Sequence, residues 1–144
     1  MNSTPAGSPL GSSKLCLSCH DGTIAIENHS GTTTGIRFTS WGNLGTDMRN
    51  DHPISFVYDH SIAIADGELH DPTATPSGLG KTISEDLLEN GRMECSTCHD
   101  VHVARKTNAG CGGCHSVHGV IITESLSLRI DNTGSAFCLT CHNK

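Results

Sequence analysis

Eight cysteines occur in this chain of 144 residues, and every one belongs to a C-x-x-C-H unit: Cys16, Cys19, His20; Cys95, Cys98, His99; Cys111, Cys114, His115; and Cys138, Cys141, His142. Each part of that unit has a task. Two thiols at this spacing can form thioethers to the two vinyl groups of one porphyrin, and the adjacent imidazole is then held beneath the iron as its proximal ligand. Four units imply four covalently attached c-type haems. No cysteine is left over for a disulfide. The competing chemistry is zinc, because eight thiolates could form two four-thiolate sites. Zinc does not require a histidine directly after every second cysteine, and here it is present in all four units.

Two of the units carry a further histidine. The stretch from Cys95 to His118 repeats C-x-x-C-H-x-V-H, adding His102 to the second unit and His118 to the third. His102 follows His99 by three residues, so both rings leave roughly the same side of a helical turn and cannot reach opposite faces of one porphyrin. If they bind iron, His102 and His118 are distal ligands of neighbouring haems, which packs the macrocycles closely.

Subtracting the four proximal histidines from ten leaves His29, His52, His60, His70, His102 and His118 for four distal positions. Pro53 forces His52 into an extended conformation and restrains it, which suits a ligand presented from a loop. His60 and His29 read equally as ligands and as solvated loop residues. His70, flanked by Glu68 and Asp71, reads as solvated. Methionine competes poorly, since Met1 is terminal and only Met48 and Met93 remain. Bis-histidine ligation would give saturated, low-spin irons with potentials below those of His/Met haems, and so an electron carrier rather than an enzyme.

The elements that must position these groups are slight. Leu, Ile, Val and Phe together number 29, about a fifth of the chain, with one Trp and one Tyr, close to the composition at which disorder competes with folding. Haems would supply the missing core, each contributing on the order of 10 kcal/mol of apolar burial. The expected fold is mostly coil with a few short helices and short strands, one small domain over residues 1–144 organised around four stacked haems. Residues 1–13 read as a flexible or partner-held arm. Short extended pieces are expected around residues 36–41. Thr82-Ile83-Ser84-Glu85 has the capping-box pattern and Asn90-Gly91 a stop, predicting a helix over 83–90. Residues 72–81 read as a linker and 120–130 as extended.

The net charge of −6 precedes any haem propionates and argues against nucleic acid or an anionic membrane as partner. A redox protein, a metal cation or a mineral surface is compatible. No apolar run is long enough to span a bilayer. Because haem attachment of this kind takes place outside the cytoplasm, the chain reads as an exported form from which a signal peptide has been removed.

The segments LCLSCHDGT (15–23), GTDMRNDHPISFVYD (45–59), CSTCHDVH (95–102) and GSAFCLTCHNK (134–144) resemble the multihaem cytochromes with doubled C-x-x-C-H motifs, including the tetrahaem OmcE-type subunits of extracellular cytochrome nanowires. The resemblance implies bis-histidine haems in alternating stacked and T-shaped pairs, with His52, His102 and His118 as distal ligands. It also implies a homopolymer in which a neighbouring subunit supplies one axial histidine, His29 or His60 being the candidates. Two other readings remain open: a soluble periplasmic or surface tetrahaem shuttle, and a reductase with one open iron.

Overall fold

The computed structural model describes residues 8–24, 43–100 and 128–144. Helix α1 spans Gly11–His20 and a 3-10 turn spans Met48–Asn50; strand β1 follows at Phe56–Val57 and helix α2 at His60–Asp66. After them come α3 (Ile83–Asp86), β2 (Arg92–Met93), α4 (Cys95–Cys98), a 3-10 turn at Thr133–Ser135 and α5 (Ala136–Cys141). The expected extended pieces at 36–41 and most of the expected strand at 120–130 lie outside the described residues. Of the latter, Leu128 forms an antiparallel bridge with His99.

The two strands pair antiparallel, with Phe56 opposite Met93 and Val57 opposite Arg92. They form the floor of a small apolar core in which Phe56, Tyr58, Ala63, Leu69, Ile83, Leu87, Met93, Phe137 and Cys141 are buried, with Cys98 packed against it. Among the described residues the core is thin, and its members come from the middle and the C-terminal end. Several large apolar side chains stay exposed, among them Leu15, Ile64 and Leu139.

The capping box at Thr82 forms as its sequence predicts: the Thr82 hydroxyl accepts from the Glu85 N–H, and the Glu85 carboxylate accepts from the Thr82 N–H. The helix it starts is shorter than the 83–90 expected, ending at Asp86. Asn90 and Gly91 both have positive φ, 52° and 73°, the backbone of a type I′ hairpin turn. Glu89 and Arg92 exchange two N–H···O bonds of 3.0 Å across it. Asn-Gly therefore acts here as a hairpin, because the β1–β2 pairing and the Tyr58 N–H to Gly91 carbonyl bond of 3.0 Å claim the chain that a longer helix would use.

Residues 72–81 are a built turn rather than a linker. Pro72 and Ser77 are buried, the Ser77 N–H bonds the Lys81 carbonyl at 2.8 Å, and Pro76 bridges to Thr82. The arm also differs from expectation over its described part. Gly11–Ser13 are the first turn of α1, and they are held by the chain's own Glu89, Ser96 and Cys95.

Candidate haem-attachment sites

In each described unit the two cysteines sit on one turn of helix, so both sulfurs leave the same face. Cys16 and Cys19 lie at the end of α1, Cys95 and Cys98 make up α4, and Cys138 and Cys141 end α5. All six are free thiols. His20 is the last residue of α1, whereas His99 and His142 leave their helices in extended conformation. This is the local geometry that haem attachment needs: two thiols one turn apart, then an imidazole at the turn's exit. The third unit, Cys111, Cys114 and His115, lies outside the described residues, as do His29, His102 and His118.

Three units are brought into one body. The first and second meet along a polar seam. The Cys95 N–H, one of the unpaired donors in the first turn of α4, bonds the buried Ser13 hydroxyl at 2.9 Å. The Ser12 hydroxyl bonds Ser96 Oγ at 2.7 Å, and Ser96 in turn donates to Glu89 Oε2 at 3.1 Å. Gly11 suits this position: its φ is +48°, and a Cβ on it would lie 2.5 Å from Glu89 Oε1 and displace the carboxylate that Ser12 and Ser96 bond. Upstream, the Leu10 N–H donates to Ser55 Oγ at 2.8 Å, and Ser55 donates to Glu94 Oε2 at 2.7 Å. Glu94, buried, is the N-cap of α4 and shares a reciprocal cap with Thr97.

The second and fourth units meet in the apolar core. Burial pushes the Cys141 thiol up to about 11, with smaller contributions from the neighbouring Cys98 and Cys138. Cys98 is raised for the same first reason, then by Cys138 and Cys95. Cys16 is raised by burial and then by Cys95. The sulfurs of unit two therefore neighbour those of unit one and those of unit four. Among the described residues, no three His, Cys, Asp or Glu side chains converge as a metal cluster would need.

Unit four is clamped from its backbone. Asn132 Oδ1 accepts from the Phe137 and Cys138 N–H groups at 3.0 and 3.4 Å, capping α5 from outside the helix. Leu69 bridges His142, the His70 N–H bonds the Cys141 carbonyl at 2.9 Å, and the Asn143 N–H bonds the Glu68 carbonyl at 3.0 Å. Tyr58, buried with its phenol pK raised by desolvation, donates to the His70 carbonyl at 2.6 Å. His70, which the sequence marks as solvated, thus has its backbone bound into unit four. Its flanking acids are engaged elsewhere: Glu68 with Lys144 at 2.5 Å and Asp71 with His60 at 2.6 Å. Alternation of Leu69 and His70 after the Gly67 turn was the signal for a short paired segment.

Two candidate distal ligands are described. His52 is exposed, with Nδ1 2.9 Å from the Pro53 carbonyl and its ring centre 6.4 Å from that of His142. His60 opens α2, is exposed, and holds Nδ1 against Asp71 Oδ2. In each the partner at Nδ1 favours the tautomer that leaves Nε2 bare for a metal. Asp71 is pulled down to about 2, by Thr73 first and then by His60.

A family model described as the doubled CXXCH motif matches residues 104–144. The match takes in the third and fourth units, and not the sixteen-residue repeat of the second and third. No curated protein matches the chain. The family match and the helix-borne thiol pairs together support a multihaem c-type cytochrome of the electron-transfer kind.

Proposed function

We propose that this chain carries four c-type haems with bis-histidine irons and conducts electrons outside the cytoplasm, as the repeating subunit of a cytochrome filament. The observation that supports conduction most directly is the adjacency of three attachment units in one body, with unit two neighbouring both unit one and unit four. Cofactors attached there would lie side by side, within reach for direct electron transfer. When bound, each haem would accept one electron as iron(III) and pass it on from iron(II). The chain's own residues hold the attachment helices in order. The Ser12–Ser13 seam fixes α1 on α4, and the Tyr58–Leu69–Phe137 core, against which Cys98 packs, fixes α5 beside α4.

The composition points the same way. Leu15 and Leu139, each adjacent to attachment cysteines, stay open to solvent beside thiols that would hold a macrocycle. Covering such side chains is what a porphyrin would do, and the thin core leaves few other means. For assembly, His60 is the described residue best placed to reach a second copy: it is exposed, and Asp71 orients its ring. His29 remains the other candidate, as do His102 and His118 for neighbouring haems within the chain.

The test is direct. Haem quantitation on the exported protein should return four per chain, with a bis-histidine optical spectrum. Negative-stain microscopy of the same material should show thin filaments with a regular repeat. Particles that remain discrete at every concentration would sink the filament and leave a soluble shuttle with the same ligation. Carbon monoxide binding at native pH would instead reveal an open iron and the reductase reading.

A further inference from the structure

Two histidines far apart in sequence face each other at a distance with a specific meaning. The ring centres of His52 and His142 are 6.4 Å apart, with the planes inclined at 77°. Two metal–imidazole bonds of about 2.0–2.1 Å each, plus roughly 1.15 Å from each ligating nitrogen to the centre of its five-membered ring, come to about 6.4 Å. The separation equals the one that two imidazoles on opposite sides of one metal ion would have.

An edge-to-face ring contact spans the same range, but it needs burial to be worth much. His52 is exposed and His142 only half-buried, so a bare imidazole pair gains little by meeting in water. Both residues are nevertheless held in place. On one side, Pro53 restrains His52, and its carbonyl takes the Nδ1 hydrogen at 2.9 Å, leaving Nε2 as the basic nitrogen. Three residues on, Ser55 is pinned by its N–H to the Met93 carbonyl at 2.6 Å and its hydroxyl to Glu94 at 2.7 Å. On the other side, the Leu69 bridge and the backbone bonds at Cys141 and Asn143 fix the strand-like exit that carries His142. Two ligands on independently braced elements are the arrangement that presents a preformed metal site.

We infer that His52 and His142 are the two axial ligands of one iron, that of the haem attached at Cys138 and Cys141, with their imidazole planes held close to perpendicular. The inference rests on the four-haem reading above and deepens it, pairing one distal histidine with one attachment unit. It also assigns an electronic signature. Parallel imidazoles split the two iron d orbitals that overlap the ring π systems, whereas crossed imidazoles leave them nearly degenerate. A crossed pair therefore gives a low-spin ferric centre with large magnetic anisotropy.

The experiment uses the intact holoprotein. Electron paramagnetic resonance of the oxidised protein should contain one strongly anisotropic low-spin signal, its first feature at lower field than parallel bis-histidine haems give. In His52→Met that signal should be lost and one haem should move to higher potential, since thioether ligation raises it. His52→Gly should make one haem high-spin, with added imidazole restoring the low-spin spectrum. His70→Met, on the segment that braces unit four, should leave the signal in place. Loss of the signal in His70→Met but not in His52→Met would overturn the pairing, as would its absence from the wild-type protein. Peptide mass mapping separates the two layers. If the peptide containing Cys138 and Cys141 carries no haem, the attachment reading fails and the pairing with it; if it carries haem and His52→Met changes nothing, only the pairing fails.

Discussion

The two ends of the chain carry almost the same hexapeptide, LCLSCH at 15–20 and FCLTCH at 137–142, yet they turn opposite faces to the protein. In α1 the residue between the cysteines, Leu17, is buried at 7% exposure, and the residue before them, Leu15, is 74% exposed. In α5 the order reverses: Phe137 is 6% exposed and Leu139 is 45%. Positions two apart on a helix are separated by about 200°, so the same motif docks through nearly opposite sides. The difference shows that C-x-x-C-H specifies the thiols and leaves the docking face to its neighbours. At α1 those neighbours are serines and a glutamate; at α5 they are Tyr58 and Leu69.

The comparison can be broken most sharply by truncating the apolar residues one at a time in the holoprotein and reading denaturant midpoints. Phe137→Ala should cost about 3–5 kcal/mol and Leu17→Ala about 2–5 kcal/mol. Leu15→Ala should stay within roughly 0.5 kcal/mol of wild type if solvent is its only neighbour, and a larger loss would mean that a haem covers it. Ser13→Ala leaves the Cys95 N–H without its partner and should cost about 1–3 kcal/mol, with faster amide exchange at Cys95. A polar seam predicts that loss at α1 alone.

Tyr58→Phe removes the bond to the His70 carbonyl and should cost about 1 kcal/mol, loosening unit four while leaving α1 untouched. The smallest effect is one of pH, away from both units. The Asp86 carboxylate is held below its ordinary value of 3.8 by the Ser77 hydroxyl, then by the Lys81 N–H at 2.8 Å. A lowered folded value means that its contribution is complete above that ordinary value and disappears as the pH falls through the folded one. Stability curves of wild type and Asp86→Asn should therefore converge in acid, and curves that stay parallel would contradict this.

The C-x-x-C-H units are legible in the sequence because each is local: two thiols and an imidazole lie within five residues, and in the three described units one helical turn sets the thiols on one face. The Thr82–Glu85 cap was legible for the same reason. What the sequence could not show depends on distant partners. Asn90-Gly91 is equally a helix stop and a hairpin turn, and only the pairing of Arg92–Met93 with Phe56–Val57 decides between them. Ser12 and Ser13 look like part of a flexible arm by composition, and they become structural because α4 presents an unpaired N–H and Glu89 a carboxylate. His70 looks solvated between two acids, but those acids are taken by Lys144 and His60. The approach of His52 to His142 joins residues from opposite halves of the chain, and no local pattern records it.

The seam between Ser13 and Cys95 has a consequence for the order of assembly. It joins residues 82 positions apart, and the length-dependent entropy of closing such a loop is about 4 kcal/mol. Its few hydrogen bonds, at roughly 0.5–1.5 kcal/mol each, barely offset that. The first attachment helix therefore stays undocked until the middle of the chain has arrived and the apolar core has formed around it. During that interval Cys16 and Cys19 stay accessible, and the weakness of the seam makes α1 the last of the described C-x-x-C-H helices to dock.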